Sequence, residues 1–90
     1  MGYTEEFKRV LLSDPHCILG KKGITDEFVD YINKLLRRFK IIKIKALTSI
    51  ANKLDIQDLA EKITKKTNSY LLDVRGKTII ISKTQIDKRV

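Results

Sequence analysis

The chain has 90 residues, a hydrophobic fraction of 42% and a formal net charge of +8, from 19 Lys and Arg against 11 Asp and Glu. These values predict one folded domain over residues 1–90 and favour a polyanionic partner, of which nucleic acid is the commonest. Cys17 is the single cysteine and His16 the single histidine, which excludes an intramolecular disulfide and a four-ligand zinc site of the usual kind.

The N-terminal sequence and the apolar runs bear on where the protein resides. No apolar run approaches the roughly 20 residues that a membrane-spanning helix needs. Residues 1–6 lack the basic and apolar regions of a signal peptide, and Glu6 stands where the myristoylation pattern has Ser or Thr. We therefore expect a cytoplasmic protein with no membrane partner.

The first elements in chain order are a helix, a strand and a turn. Apolar residues at helical spacing predict a helix over residues 4–12, with Thr4 as its cap. Pro15 ends this helix, because the residue before a proline is disfavoured in the α region. Residues 16–19 are typical of a short strand, and Gly20-Lys21-Lys22-Gly23 of a tight turn.

A long helix and a second strand follow. Thr25 is a good N-cap, and one apolar stripe comes after it. Its members step by four, three and four: Phe28, Ile32, Leu35 and Phe39. Four cations lie near the C-terminal end of this helix, where their interaction with the helix dipole is favourable: Lys34, Arg37, Arg38 and Lys40. Residues 41–47 alternate as a strand does, with Lys43 and Lys45 on one face and Ile42, Ile44 and Ala46 on the other.

The second half of the chain predicts another helix and a hairpin. Residues 48–53 fit either a loop or an early helical turn. Asp55 can cap the helix that follows. Residues 70–75 and 78–83 are typical of strands, and Gly76-Lys77 suits the two-residue turn between them, since glycine readily adopts positive φ.

Together these elements predict an α/β fold in the order α-β-α-β-α-β-β. We expect a single compact domain whose four-stranded mixed sheet is packed with helices. Each strand–helix–strand unit implies a right-handed crossover between parallel neighbours, and the hairpin adds an antiparallel strand. The core is expected over about residues 4–83, and residues 84–90 are expected to fray.

The turn from Gly20 to Gly23 is the main candidate for binding chemistry. It precedes the start of a long helix, where backbone N–H groups point outward and the dipole favours anions. The glycines permit close approach of a phosphate backbone, and Lys21 and Lys22 supply charge on flexible stems. KH domains use a GXXG loop in this way. A plain strand-to-helix connector is the alternative.

Other cations could extend this basic surface if the strands pair as predicted: Lys43, Lys45, Arg75 and Lys77. Alternatively, these side chains simply keep a sheet soluble. The chain has no Trp, three Phe and three Tyr, and the Phe residues fit helix stripes. Recognition of backbone and shape is therefore favoured over base-by-base readout.

Catalysis is not expected. In a regular strand His16 and Cys17 point to opposite faces, so they cannot form a Cys–His pair. The Gly20–Gly23 turn is too short for a Walker motif. We expect no catalytic residue, no metal, no cofactor and no small-molecule substrate.

Three blocks of sequence together resemble the CRM domain (chloroplast RNA splicing and ribosome maturation). They are Leu19-Gly20-Lys21-Lys22-Gly23-Ile24-Thr25, Ile41-Ile42-Lys43-Ile44-Lys45 and Asp73-Val74-Arg75-Gly76-Lys77-Thr78-Ile79-Ile80-Ile81. Their order and spacing match over about residues 5–83. The resemblance implies an RNA-binding domain of stand-alone bacterial or archaeal type. It also implies a fold similar to the C-terminal domain of bacterial translation initiation factor three.

The resemblance further implies a site and a partner. The family's GXXG loop corresponds to Gly20, Lys21, Lys22 and Gly23, and its other basic positions to Lys43, Lys45, Arg75 and Lys77. Its prokaryotic members are associated with precursors of the large ribosomal subunit. We expect a monomer that binds structured RNA, most specifically ribosomal RNA. Two alternatives are a DNA- or chromatin-coating protein of related small α/β fold (Alba-like) and a basic protein–protein interaction module.

Overall fold

Eight elements follow one another in the computed structural model, which describes residues 2–51 and 55–84. They are α1 (Gly2–Leu12), β1 (Cys17–Leu19), α2 (Asp26–Arg38), β2 (Ile41–Ala46), α3 (Thr48–Ala51), α4 (Ile56–Thr67), β3 (Tyr70–Arg75) and β4 (Thr78–Ser82). The predicted order is confirmed with one addition, because the short helix α3 forms the first four residues of the segment 48–53, for which the sequence predicts a loop or a helical turn. Residues 52–53 of that segment lie outside the described residues. Residues 85–90 lie outside the described residues, so their fraying stays a prediction.

Local hydrogen bonds cap the N-terminal ends of the two long helices. The Thr25 hydroxyl accepts the N–H of Phe28 at 3.1 Å and caps α2. The Asp55 carboxylate accepts the N–H of Gln57 at 2.8 Å and caps α4. Both predicted caps are confirmed. The predicted cap at Thr4 is wrong, because α1 already begins at Gly2 and Thr4 lies within it. Helix ends vary by a residue or two where no breaker stops them.

The sheet is mixed and four-stranded, with the order β1-β2-β4-β3. β1 pairs parallel with β2, while β4 pairs antiparallel with both β2 and β3. The predicted parallel pairing of β1 and β2 is confirmed. The expectation that β2 and β3 are parallel neighbours is wrong, because β4 lies between them. Ile79, Ile80 and Ile81 are all buried, and a strand that is buried on both faces belongs in the centre of a sheet.

Helices cover the two faces of the sheet unequally. On one face, the main core joins buried strand residues such as Ile44 and Ile79 to Ile32 of α2 and Ile63 of α4. On the other face, Ile41, Leu72 and Ile80 form a smaller cluster against which Val10 and Leu11 of α1 pack. Beyond this cluster the second face is open, since Ile18 is 57% exposed.

α2 and α4 both begin at one end of the sheet and finish at the opposite end. α2 returns the chain from the end of β1 to the start of β2, and α4 returns it from the end of β2 to the start of β3. Both helices therefore begin where β1 and β2 finish, and both end where β2 and β3 start. We call the first the loop end of the sheet and the second the helix end.

Candidate nucleic-acid interface

The turn Gly20-Lys21-Lys22-Gly23 forms the rim of the loop end. The N–H of Gly23 donates to the carbonyl of Gly20 at 3.0 Å, which closes a four-residue turn. Gly23 has a φ of +75°, a conformation that glycine adopts without strain. Lys21 and Lys22, at the two central positions, are exposed and bond to no other side chain in the described part of the protein. Both ammonium groups are thus available to a ligand.

The strand register places a row of side chains beside this turn. Ile18 lies opposite Lys45, Lys45 opposite Thr78, and Thr78 opposite Arg75. The row crosses all four strands on the open face and spans roughly 15 Å at about 4.8 Å per strand. Lys45 and Arg75 are exposed. The row therefore carries two cations across a surface that α1 leaves uncovered.

The hairpin turn joins the same end of the sheet. The carbonyl of Lys77 accepts the N–H of Ala46 at 2.8 Å, and the carbonyl of Leu19 accepts the N–H of Leu47 at 3.0 Å. Gly76 has the positive φ (+56°) that the sequence predicts. The Lys77 ammonium donates to the hydroxyl of Thr48 at 2.8 Å. These bonds hold the hairpin and the segment after β2 beside the Gly20–Gly23 turn.

Lys43 differs from the other predicted site residues. Its ammonium donates to the carbonyls of Leu11 and Ser13, both at 2.8 Å. Leu11 belongs to the last turn of α1, where a helix leaves its last acceptors unpaired, and Ser13 directly follows the helix. The half-buried Lys43 side chain thus joins α1 to the sheet, and a contact to RNA stays a prediction for it.

Acidic groups lie close to the loop end. Asp73 and Arg75 form the single ion pair among the described residues, with Nε and the carboxylate oxygen 2.6 Å apart. The Arg75 side chain remains 62% exposed in this pair. Asp26 and Glu27 occupy the first turn of α2, directly after the turn that carries the lysines. The field at the loop end is therefore mixed, and the lysines must outweigh these carboxylates.

His16 and Cys17 take structural positions. Cys17 is buried in the main core, and this burial raises the pKa of its thiol, which disfavours a nucleophilic thiolate. The His16 ring packs on Phe39 with the ring centroids 4.9 Å apart, and its Nδ1 accepts the N–H of Lys43 at 3.0 Å. Residues 2–51 and 55–84 contain no cluster of three metal-ligating side chains. No helix in those ranges is long and apolar enough to cross a membrane.

Seven of the eight predicted site residues lie at the loop end. The eighth, Lys43, lies two residues before Lys45 in β2, towards the helix end. Three neighbours of this site were not predicted: Ile18, Thr48 and Thr78. Strand alternation could have placed Ile18 on the face opposite Leu19, but its exposure depends on how much of the sheet α1 covers. Thr48 and Thr78 adjoin the cations only through strand pairing and the hairpin, which single residues do not signal.

Comparison with known proteins identifies the family and the fold. The CRS1/YhbY (CRM) domain family matches residues 7–83. The probable RNA-binding protein YqeI of Bacillus subtilis (strain 168) is 31% identical over 85 residues, which cover 89% of this chain and 86% of that protein. The solution structure of the hypothetical protein SAV1595 of Staphylococcus aureus, for which RNA binding is suggested, superposes with a TM-score of 0.70 at 28% identity. That match covers 99% of this chain and 93% of the other. The chain therefore belongs to the CRS1/YhbY (CRM) domain family.

Proposed function

We propose that this protein binds structured RNA by its phosphate backbone at the loop end of the sheet. The observation that carries the proposal is the turn Gly20–Gly23, with two exposed lysines at the head of α2 and a row of side chains beside it. Lys45, Arg75 and Lys77 extend the positive surface from the turn across the sheet. Cations on a turn and on an open sheet face suit a ligand whose charge repeats along a strand.

RNA is favoured over other polyanions by the relatives. The similar protein from Bacillus subtilis is named a probable RNA-binding protein, and RNA binding is suggested for the similar protein from Staphylococcus aureus. We further propose ribosomal RNA as the target, in assembly of the large ribosomal subunit in the cytoplasm, with the protein acting as a monomer. This finer assignment follows from the resemblance to prokaryotic CRM proteins.

The proposal is tested by removing the turn's two charges. If four Lys or Arg side chains each neutralise a phosphate, the logarithm of the binding constant should fall with the logarithm of salt concentration at a slope of about −3. Lys21→Ala with Lys22→Ala should flatten this slope by about 1.4 and weaken binding at low salt, because about 0.7 unit is lost per phosphate contact on a single strand. Fluorescence anisotropy with a labelled RNA hairpin measures both quantities.

A matched control removes the same charge elsewhere. Lys8 and Arg9 are exposed on α1, so Lys8→Ala with Arg9→Ala lowers the net charge by the same two units away from the turn. The control should change the affinity much less than the turn variant. Equal losses in the two variants would show that net charge alone drives binding, and tighter binding to duplex DNA of equal length would reassign the ligand.

A further inference from the structure

The helix end of the sheet carries a second group of cations. We call these six exposed residues the helix-end patch: Arg37, Arg38, Lys40, Lys65, Lys66 and Lys83. The sequence contains no Asp or Glu in residues 31–54, 62–72 or 74–86. The patch is thus uninterrupted by acidic residues of its own segments, in contrast to the mixed charge of the loop end.

Three elements bring these cations together. α2 and α4 pack side by side and end at the same end of the sheet, where β4 also finishes. The N–H of Lys83 donates to the carbonyl of Lys40 at 3.0 Å, which joins the end of β4 to the start of β2. The Arg38 guanidinium lies over the Phe39 ring, 5.4 Å from its centroid, and this cation–π contact restrains its position.

A cavity of about 370 Å³ lies between these three elements. Its lining includes a guanidinium, an ammonium, two carboxamides, a hydroxyl and one leucine side chain: Asn33, Leu36, Arg37, Thr67, Asn68 and Lys83. Guanidinium, ammonium and amide N–H groups all donate hydrogen bonds, which is the chemistry that phosphate oxygens require. Among residues 2–51 and 55–84, no carboxylate lines this cavity.

Helix dipoles account for only part of this charge. The C-terminus of a helix carries roughly half a negative charge, so α2 and α4 together supply about one. Six cations exceed that requirement several-fold. The excess resembles the concentration of Lys and Arg that nucleic-acid-binding surfaces use for phosphate contacts.

We propose that the helix-end patch binds the phosphate backbone of a second RNA segment, so that one protein molecule bridges two segments. This inference rests on the proposed binding of RNA at the loop end. The six residues of β2 separate the two ends by roughly 20 Å, at about 3.3 Å per residue, so a single phosphate cannot contact both. Two separated cationic surfaces on one small domain can therefore hold two strands or two hairpins close together.

A bridging experiment tests this inference with two RNA hairpins that carry different labels. The first hairpin is immobilised and saturated with protein, and capture of the second, free hairpin is then measured at low salt. The wild-type protein should capture the second hairpin. Arg37→Gln with Lys83→Gln should reduce capture about tenfold or more, because two phosphate contacts are lost, while binding of the first hairpin stays within about twofold. Lys65→Gln with Lys66→Gln should reduce capture in the same direction through the other helix.

Controls separate this inference from the function on which it rests. Lys8→Gln with Arg9→Gln removes the same charge from α1 and should leave capture nearly unchanged. Binding of the first hairpin without capture of the second would overturn bridging and leave RNA binding intact. Binding of neither hairpin would overturn both. Capture that persists in both patch variants, or that occurs only when sedimentation shows a protein dimer, would also overturn the inference.

Discussion

The two ends of the sheet differ in charge. At the loop end, cations lie close to the carboxylates in the first turns of α2 and α4, whereas the last turns of the same two helices, at the helix end, carry cations. Asp26, Glu27, Asp55 and Asp58 lie at the first of these ends. Helix dipoles account for part of this division, because acidic residues are stabilised near N-termini and basic residues near C-termini. Two helices that run in the same direction consequently sort charge to opposite ends of the domain.

The comparison shows that density of charge and geometry for binding are separate properties. The loop end has glycines, an exposed turn and an open sheet row, which allow close approach of an RNA backbone in a defined orientation. The helix end has more net charge and a cavity, but the residues described there form no comparable glycine turn. We therefore expect the loop end to position RNA and the helix end to add salt-sensitive affinity for a second segment.

The largest expected effect distinguishes two cations that share β2. Lys43→Met should lower the free energy of unfolding by about 2 kcal/mol, because hydrogen bonds to the end of α1 are lost from a charged donor. Lys45→Met should leave stability within about 0.5 kcal/mol, since this side chain is exposed, and should weaken RNA binding. Urea unfolding and RNA anisotropy of both variants check this. A loss of stability without a loss of RNA affinity in Lys45→Met would exclude Lys45 from the site.

The two glycines of the turn sharpen the account of the loop end. Gly23→Ala should cost about 1–2 kcal/mol of stability, because a side chain at φ +75° is strained even though its Cβ would stay 3.7 Å from Ile50. Gly20→Ala has open space and no positive φ, so stability should be unchanged or raised by up to about 1 kcal/mol. A loss of RNA affinity in Gly20→Ala without a loss of stability would indicate close backbone approach. Unaltered affinity would argue against it.

Removing two of the acidic residues at the loop end should bring the two ends closer in charge. Asp26→Asn with Glu27→Gln should strengthen RNA binding about threefold to tenfold, because repulsion of phosphates is relieved. The same change should cost roughly 0.5–1 kcal/mol of stability, since favourable dipole interactions are lost. Asp30→Asn with Glu61→Gln neutralises two exposed carboxylates outside the first helical turns and serves as the control. Equal gains in both variants would mean that only net charge matters.

The smallest effect concerns pH and the helix end. Burial, and secondarily the charge of Lys43, lower the pKa of His16 below its ordinary value. The unfolded chain therefore binds more protons at this residue as the pH falls. The contribution of His16 to the free energy of unfolding is fully present above about pH 6.5 and is lost as the pH falls below that value. Protonation also removes the Nδ1 acceptor from the N–H of Lys43. The drop in Tm from about pH 7.5 to about pH 5.5 should be smaller in His16→Gln than in the wild type; an equal drop would exclude His16 as its source.

Much of the fold could be predicted because its signals are local. The caps at Thr25 and Asp55 and the turn at Gly76 depend on a few neighbouring residues, and each is present as predicted. The order of the strands could not be predicted in full. Whether β4 lies beside β2 depends on burial of its isoleucines from both faces, which is a property of the assembled sheet.

The candidate site was predictable to a similar degree. The turn Gly20–Gly23 is visible as a sequence motif, and alternation placed Lys43 and Lys45 on one face. Their different roles depend on α1, whose end meets Lys43 from about 30 residues away in the chain. The alternation within β2 carries no information on that contact. The sequence alone therefore could not distinguish the role of Lys43, which joins α1 to the sheet, from that of the exposed Lys45.

The central claim, that RNA is held at the loop end, is tested most directly by NMR. Backbone amide shifts of the isotopically labelled protein are followed as a short RNA hairpin is added. The account predicts that the first additions shift the amides of Gly20, Lys21, Lys22 and Gly23 together with those of Gly76 and Lys77. Residues of the helix-end patch should follow only when RNA is in excess. Early shifts confined to α1 or to the helix-end patch, with the turn unchanged, would contradict the claim.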